Sequence, residues 1–237
     1  MIKLPVKGEN RTFDLAPSKI IAIGKNYLDH IKEYLKVDVS NFKDEIPSEP
    51  VLFAITPNAL VGNGDVIVIP SFLKKYGFKN PRVEYEAELA FVISKRCKNI
   101  SEKDALDYVA GYTCLNDVSQ RNLQKSDISG WFRAKSFDTF APVGPCLVPP
   151  DKIGDPQNLN IICRHNGKVV QNSNTKNMIF SIAHMISFIS MNFTLEAGDL
   201  ITTGTPSGVG PIKHGDIVEV EIENIGILRN SVVEENS

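Results

Sequence analysis

The stretch RVEYEAELAFVIS, Arg82 to Ser94, sets Glu84, Glu86 and Glu88 at every second position and then runs almost wholly apolar. Alternation of period two, with Val83, Tyr85, Phe91 and Ile93 in the run, predicts a β-strand from Val83 to Ile93. Side chains at i, i+2 and i+4 of a strand share one face, so the three glutamates form a column with neighbours roughly 6.5 Å apart. At an effective dielectric of about 20, two unit charges at that spacing repel by roughly 2.5 kcal/mol. Against a total stability of about 5–15 kcal/mol, that repulsion needs an offset. Solvent on a wet face supplies one, opposing arginines another, and a divalent cation a third, since hard cations take carboxylate oxygens.

Around that strand the chain reads as many short strands with few helices. SKIIAIG (Ser18–Gly24) predicts a short buried strand and PVLFAI another strand, and YLDHIKEYL (Tyr27–Leu35) predicts a short helix between them. VDVSNFKDEIPSEP is polar and proline-bearing and reads as a mobile loop. ALVGNGDVIVIP leads into a further strand, and SFLKKYGFKNP reads as the loop that delivers the chain to the glutamates. SEKDALDYVAGY, with an S-x-x-D start and a glycine stop, predicts a helix over Glu102–Val109. YTCLNDV predicts a strand running to Asp117, and SQRNLQKSD a polar turn after it. LNIICRHNGKVVQ carries the clearest hairpin signal, two β-rich runs joined by Asn166-Gly167. MIFSIAHMISFISMNF (Met178–Phe193) is too short and interrupted to span a membrane and reads as a helix buried in the core. The C-terminal runs from Leu195 onward alternate like antiparallel strands. The expected class is mainly β with a few helices (α+β), as a single unit over residues 1–237 without repeat or linker.

Composition narrows the functions. Net charge is −2 with no Lys/Arg run, which gives a nucleic-acid or anionic-membrane partner little support. The N-terminal MIKLPVKGENRTFDL lacks the apolar core of a signal peptide. Cys97, Cys114, Cys146 and Cys163 form no CxxC pair, so the expectation is reduced thiols in a cytoplasmic protein. His30, His165, His184 and His214 show no HxH or HExxH spacing, which argues against a zinc hydrolase.

Four groupings could carry chemistry. Glu86 and Glu88 with Asp117 make an all-oxygen set suited to Mg²⁺ or Mn²⁺; the other reading is a solvated acidic face. His30 and Glu33 stand at i and i+3 of the predicted helix, where a carboxylate can orient a basic imidazole; an ordinary wet helix face is the alternative. GTPSGVGP (Gly204–Pro211) is dense enough in glycine and proline to bring backbone close to a ligand, or to make a plain double turn. It matches neither a phosphate loop nor a GxSxG elbow. Lys135, between aromatic residues in FRAKSFDTF, could neutralise a substrate anion or simply snorkel. Arg121 and Gln124 lie just beyond Asp117 and could hold a carboxylate or carbonyl.

In this order, GKNYLDHIKE, YEAELAFVI, GYTCLNDVSQRNLQ, AKSFDTFAPVGP, SNTKNMIFSI and TTGTPSGVGP resemble the fumarylacetoacetate hydrolase superfamily from about Ile20 to the last strand. The resemblance implies a mixed β-roll or sandwich, usually a homodimer. It implies Glu86, Glu88 and Asp117 as ligands of Mg²⁺ (or Mn²⁺), with Glu84 outside the set. His30 and Glu33 become the catalytic pair on a lid around residues 27–49, and Lys135 the cation beside an enolate oxygen. Arg121, Gln124 and Thr205 become substrate contacts. The chain has no room for the extra N-terminal domain of larger members, which points to the small acylpyruvase-like branch.

The implied chemistry is C–C cleavage of a 2-oxo acid, a 3-acylpyruvate or an oxaloacetate-like acid. A divalent Lewis acid and Lys135 would stabilise the pyruvate enolate, and His30 with Glu33 would activate the water that hydrolysis needs. Oxaloacetate decarboxylation needs no such water. The rivals are an isomerase or keto-enol tautomerase, a sugar-acid dehydratase, and a metal-binding protein without catalysis.

Overall fold

Both faces of the Ala87–Ile93 strand are buried, which is why its sequence stops alternating after the last glutamate. In the computed structural model, which describes residues 1–35, 46–128 and 130–236, this strand lies in the middle of a seven-stranded sheet. The order across that sheet is Val51–Ile55, Ile20–Gly24, Leu200–Thr202, Ala87–Ile93, Val109–Asn116, Ala141–Val148 and Leu60–Val61. Leu89, Phe91 and Ile93 point into the larger core, which also holds the apolar side of the Ile182–Asn192 helix. Ala90 and Val92 point the other way, into a smaller core with Leu4, Leu15, Ile20 and Leu115. Glu86 and Glu88 share the parity of Ala90 and Val92, so the acids occupy one end of a face whose other end is packed apolar.

A five-stranded sheet covers the larger core, in the order Lys168–Asn174, Asn160–His165, Ile217–Ile222, Gly226–Glu234 and Val66–Ile69. The hairpin expected at Asn166-Gly167 is present, and both residues take left-handed φ, 51° and 78°, as a tight turn of that type demands. A three-stranded ribbon joins Ser119–Gln120, Val83–Tyr85 and Gly210–Pro211, and it brings the acid strand, the Arg121 segment and the glycine-rich loop side by side. The pairing is mixed rather than antiparallel throughout: Leu200–Thr202 runs parallel to Ile20–Gly24, and Gly226–Glu234 parallel to Val66–Ile69.

Several local expectations need correction. SFLKKYGFKNP is not all loop, for Ser71–Tyr76 forms a 3₁₀ helix with Glu235 accepting from Ser71 N and Oγ. Glu102–Tyr108 is 3₁₀ rather than α, and Ser101 Oγ donates to Asp104 Oδ2 instead of capping the backbone. The expected polar turn after Asp117 is a helix, Arg121–Ser126, because the Gln120 side chain accepts from Leu123 N and supplies its cap. The apolar helix begins only at Ile182, where Ser181 Oγ accepts from His184 N; Met178–Ser181 lie outside it, and Met191 and Phe193 are exposed. Of the lid expected around 27–49, the helix Leu28–Leu35 is present, while residues 36–45 lie outside the described ones. Among the described residues, no helix is long and apolar enough to cross a membrane.

Candidate active site

Backbone pairing gathers the acids. Ala87 sits opposite Asn116 and Glu88 opposite Leu115, which sets Asp117 next to the start of the acid strand. Asp117 N donates to Glu86 O at 2.9 Å, and Glu86 N donates to Asn116 Oδ1 at 2.9 Å. One carboxylate oxygen from each of Glu86, Glu88 and Asp117 then lies within 4.8 Å of the others. Solvent does not relieve the repulsion: Glu84, Glu86 and Glu88 are 1%, 4% and 1% exposed. Glu84 is answered by arginines, with Arg82 on one oxygen and Arg121 Nε at 2.7 Å from the other. Glu84 thus stands outside the acidic triad, and of the offsets weighed for the column the arginines are the ones that answer it.

Charge in the triad is uneven. Burial pushes the Glu86 carboxyl up, but Lys135 and Arg121 outweigh it and hold it at about 2. Lys135 Nζ lies 2.7 Å from Glu86 Oε2 and 2.6 Å from Asp117 Oδ2, and Arg121 lies 2.5 Å from Glu86 Oε1. Burial raises Asp117 to about 6, with Lys135 opposing and Glu86 adding to the rise. Burial and the charges of Asp117 and Glu86 drive Glu88 well above the usual carboxylate range, although Thr202 Oγ1 and Gly204 N, the latter at 2.8 Å, both donate to it. Asp117 Oδ1 is buried with no hydrogen-bond partner among the described residues. A buried all-oxygen set with more negative charge than its neighbours neutralise, and one orphaned oxygen, fits a hard divalent ion.

His30 and Glu33 meet as expected on the Leu28–Leu35 helix, with Nδ1 3.7 Å from Oε2, an ion-pair distance too long for a hydrogen bond. The glycine-rich loop holds the other side of Glu33, as Gly208 N donates to Oε2 at 2.9 Å. The nearby imidazole, opposed by partial burial and helped by Gly208 N, keeps the Glu33 carboxyl below its usual range. The same loop therefore touches both the triad, through Gly204, and the helix, through Gly208. Glycine is required at 208: φ is 101°, and a Cβ there would stand 1.9 Å from Val170 O.

Glu86, Glu88, Asp117, His30, Lys135, Arg121, Gln124 and Thr205 all line one pocket of about 530 Å³, part of it open to solvent, closed on its apolar side by Ile23, Ile31, Phe53 and Trp131. Glu33 is at the rim rather than in the lining. Lys135 is buried, with its ammonium 5.4 Å from the Phe53 ring centre, so it does not snorkel. Arg121 Nη1 donates to Gln124 Oε1 at 2.6 Å, an i to i+3 contact that exists because the segment is helical. Thr205 Oγ1 donates to Ala87 O at 2.9 Å and accepts from Gln171 Nε2 at 2.8 Å.

Sequence reasoning missed the residues that brace this set. Gln171 Oε1 accepts from Ala87 N at 3.0 Å and Nε2 donates to Pro206 O at 2.7 Å, so one buried amide ties the acid strand to the glycine-rich loop. Asn26 and Thr202 sit inside the quoted motifs GKNY and TTGTP, where a buried amide and hydroxyl beside glycines were the available signal. Trp131, the chain's sole tryptophan, covers Gly24 so closely that a Cβ there would be 2.0 Å from its ring.

A curled, mixed β-sheet that places three buried carboxylates, a lysine, an imidazole and an apolar wall around one pocket defines a protein class with a candidate divalent-ion site in that pocket. The chain belongs to the fumarylacetoacetate hydrolase family: the model of the fumarylacetoacetate hydrolase C-terminal region matches residues 19–233. It is 45% identical over 225 residues to the mitochondrial oxaloacetate tautomerase fahd2 of Xenopus laevis, covering 92% of this chain and 66% of the relative. The structure of 2-hydroxyhepta-2,4-diene-1,7-dioate isomerase from Mycobacterium marinum superposes with TM-score 0.80 at 39% identity, covering 96% of this chain and 79% of that one. Fumarylpyruvate hydrolase from Pseudomonas aeruginosa, in complex with Mn²⁺ and pyruvate, superposes with TM-score 0.85 at 29% identity, covering 99% and 96%.

Proposed function

We propose that the chain is a divalent-metal-dependent enzyme that cleaves the C3–C4 bond of a 2-oxo acid, a 3-acylpyruvate or oxaloacetate-like acid, by way of a pyruvate enolate. The observation that carries this reading is the buried triad of Glu86, Glu88 and Asp117, with ligand oxygens within 4.8 Å of one another and an ammonium between two of them. Glu86, Glu88 and Asp117 would hold Mg²⁺ or Mn²⁺, which when bound supplies a Lewis acid for the 2-oxo carboxylate end of the substrate. Lys135 stabilises negative charge as the C3–C4 bond breaks. Arg121 and Gln124 orient the carboxylate end, with Arg121 itself fixed by Glu84. Thr205, on the glycine-rich loop and tied to Ala87 O of the acid strand, packs against the substrate. For an acylpyruvate, His30 takes the proton of an attacking water while Glu33 holds the imidazole, and the products are pyruvate and a carboxylic acid.

A second reading, keto-enol tautomerisation or isomerisation, is favoured by the names of the relatives, which include oxaloacetate tautomerases at 45% and 41% identity. There His30 shuttles a proton between C3 and the enol oxygen, and no water is consumed. We place both reactions in a homodimer acting on a small 2-oxo acid in the cytoplasm. Purified protein with Mg²⁺ is assayed against acetylpyruvate, oxaloacetate and enol-oxaloacetate. Magnesium-dependent release of pyruvate is the expected result. Tautomerisation outrunning every cleavage would transfer the assignment to the second reading, and no metal-dependent turnover of any of the three would overturn both.

A further inference from the structure

We propose, resting on the 2-oxo acid reading above, that Lys25 binds a second carboxylate of the substrate, so that the enzyme selects 2-oxo dicarboxylates over 2-oxo monocarboxylic acids. Lys25 lines the same pocket as the triad, half-buried, one residue past the end of the Ile20–Gly24 strand. Its φ is 55°, a conformation that side chains of this length rarely adopt. Both neighbours fix it there. Gly24 lies beneath the Trp131 ring, and Asn26 is fully buried, with Nδ2 donating to Thr203 O at 2.8 Å and Oδ1 accepting from Phe180 N at 2.8 Å. Glycine would hold this backbone without strain, yet the position carries a long cation on the pocket wall. Strain kept by rigid surroundings at a ligand pocket points to use of the side chain.

The charges point the same way. Arg121, paired with Glu84 and Glu86, and Lys135, paired with Glu86 and Asp117, serve the 2-oxo carboxylate end and the enolate in the reading above, which leaves the far end of the substrate to another cation. Lys25 makes no ion pair or hydrogen bond with any described residue. Four buried acids, Glu84, Glu86, Glu88 and Asp117, face Arg82, Arg121 and Lys135. A divalent ion and Lys25 turn that deficit of one charge into an excess of two, which a dianion cancels and a monoanion only halves. A 2-oxo monocarboxylate would leave Lys25 desolvated and unanswered in the filled pocket.

Trp131 supplies the readout, since it is the only tryptophan, lines the pocket and packs edge-on to Phe53 at 5.2 Å. Magnesium-loaded protein is mixed rapidly with oxaloacetate or with 2-oxobutyrate, which carries a methyl group where oxaloacetate has its distal carboxylate, and binding is followed by Trp131 fluorescence. Wild type should bind oxaloacetate about 10- to 100-fold more tightly, the scale of one charge-assisted hydrogen bond. Lys25→Met should erase that preference and leave 2-oxobutyrate affinity within about twofold, while Lys25→Arg keeps most of it. Equal weakening of both ligands by Lys25→Met, or no change in either, would overturn the assignment. If 2-oxobutyrate binds with magnesium but oxaloacetate binds no better, this inference alone fails. If neither acid binds, the reading of the site fails with it.

Discussion

The floor of the pocket and its rim are built differently. At the floor, Glu86, Glu88 and Asp117 are almost wholly buried and pinned by the backbone of two adjacent central strands, by Asn116, by Thr202 and by Lys135. At the rim, His30 and Glu33 ride on an eight-residue helix and stand 3.7 Å apart, and Gly208 N, donating to Glu33, ties the helix to the glycine-rich loop. A buried acid cluster must be held rigidly, because any relaxation would leave unpaired charge in a low dielectric. On the reading proposed above, a base that has to admit substrate gains from looser support, since catalytic contacts often tighten only in the complex.

Changes at the floor should abolish everything together. Asp117→Asn should lower turnover by about 10³-fold or more and remove magnesium binding, as loss of a charged ligand from an ion site does. At 100 times its dissociation constant, magnesium should stabilise wild type by about 2.7 kcal/mol, hence by about 5–10 °C in Tm, and should leave Asp117→Asn unmoved in the same thermal scan. Changes at the rim should separate the two properties. His30→Gln should cost about 10²- to 10⁴-fold in turnover while the magnesium-dependent rise in Tm persists. Should His30→Gln also lose the metal response, the division between floor and rim is wrong.

Acid should act on the floor first. Glu88 lies well above the usual carboxylate range and Asp117 at about 6, and the ion takes only deprotonated carboxylates. Lowering the pH protonates Glu88 first and Asp117 at about pH 6, so magnesium affinity should decline progressively as the pH falls to and through about 6 and recover as it rises. Calorimetric titrations at several pH values would also detect the protons released on binding. The smallest effect concerns the tether. Gly208→Ala sets a Cβ against Val170 O at a φ that alanine rarely adopts, so the loop must shift: Tm should fall and Glu33 loosen, lowering turnover by about tenfold through the base's orientation, with metal affinity retained. A pH–rate profile that shifts while magnesium affinity stays constant would place the effect at the rim.

The alternation at Glu84, Glu86 and Glu88 and the apolar run after them were enough to read extended chain, although the structure breaks the expected Val83–Ile93 strand at Glu86 into two strands of different sheets. The Asn-Gly hairpin announced itself, and the six ordered motifs led to the family. What was misread was local structure governed by side chains reaching the backbone. Gln120 turns an apparent polar loop into a helix, and only that helix sets Arg121 beside Gln124. The bracing by Gln171 was invisible because it joins Ala87 to Pro206 across more than a hundred positions of chain.

Sequence alone determined which side chains could share a face, since the period of a strand is a property of the backbone and holds wherever the strand lies. It also supplied the chemistry: oxygens for a hard ion, an imidazole with a carboxylate, a cation among aromatic rings. Only the tertiary structure decided how the three glutamates divide their labour. Two arginines neutralise Glu84, whereas Glu88 is left with an excess of negative charge beside Asp117. That division follows from distance and burial. The energy of a charge depends on what lies within a few ångströms of it, and apart from Arg82 the neighbours here come from other segments of the chain.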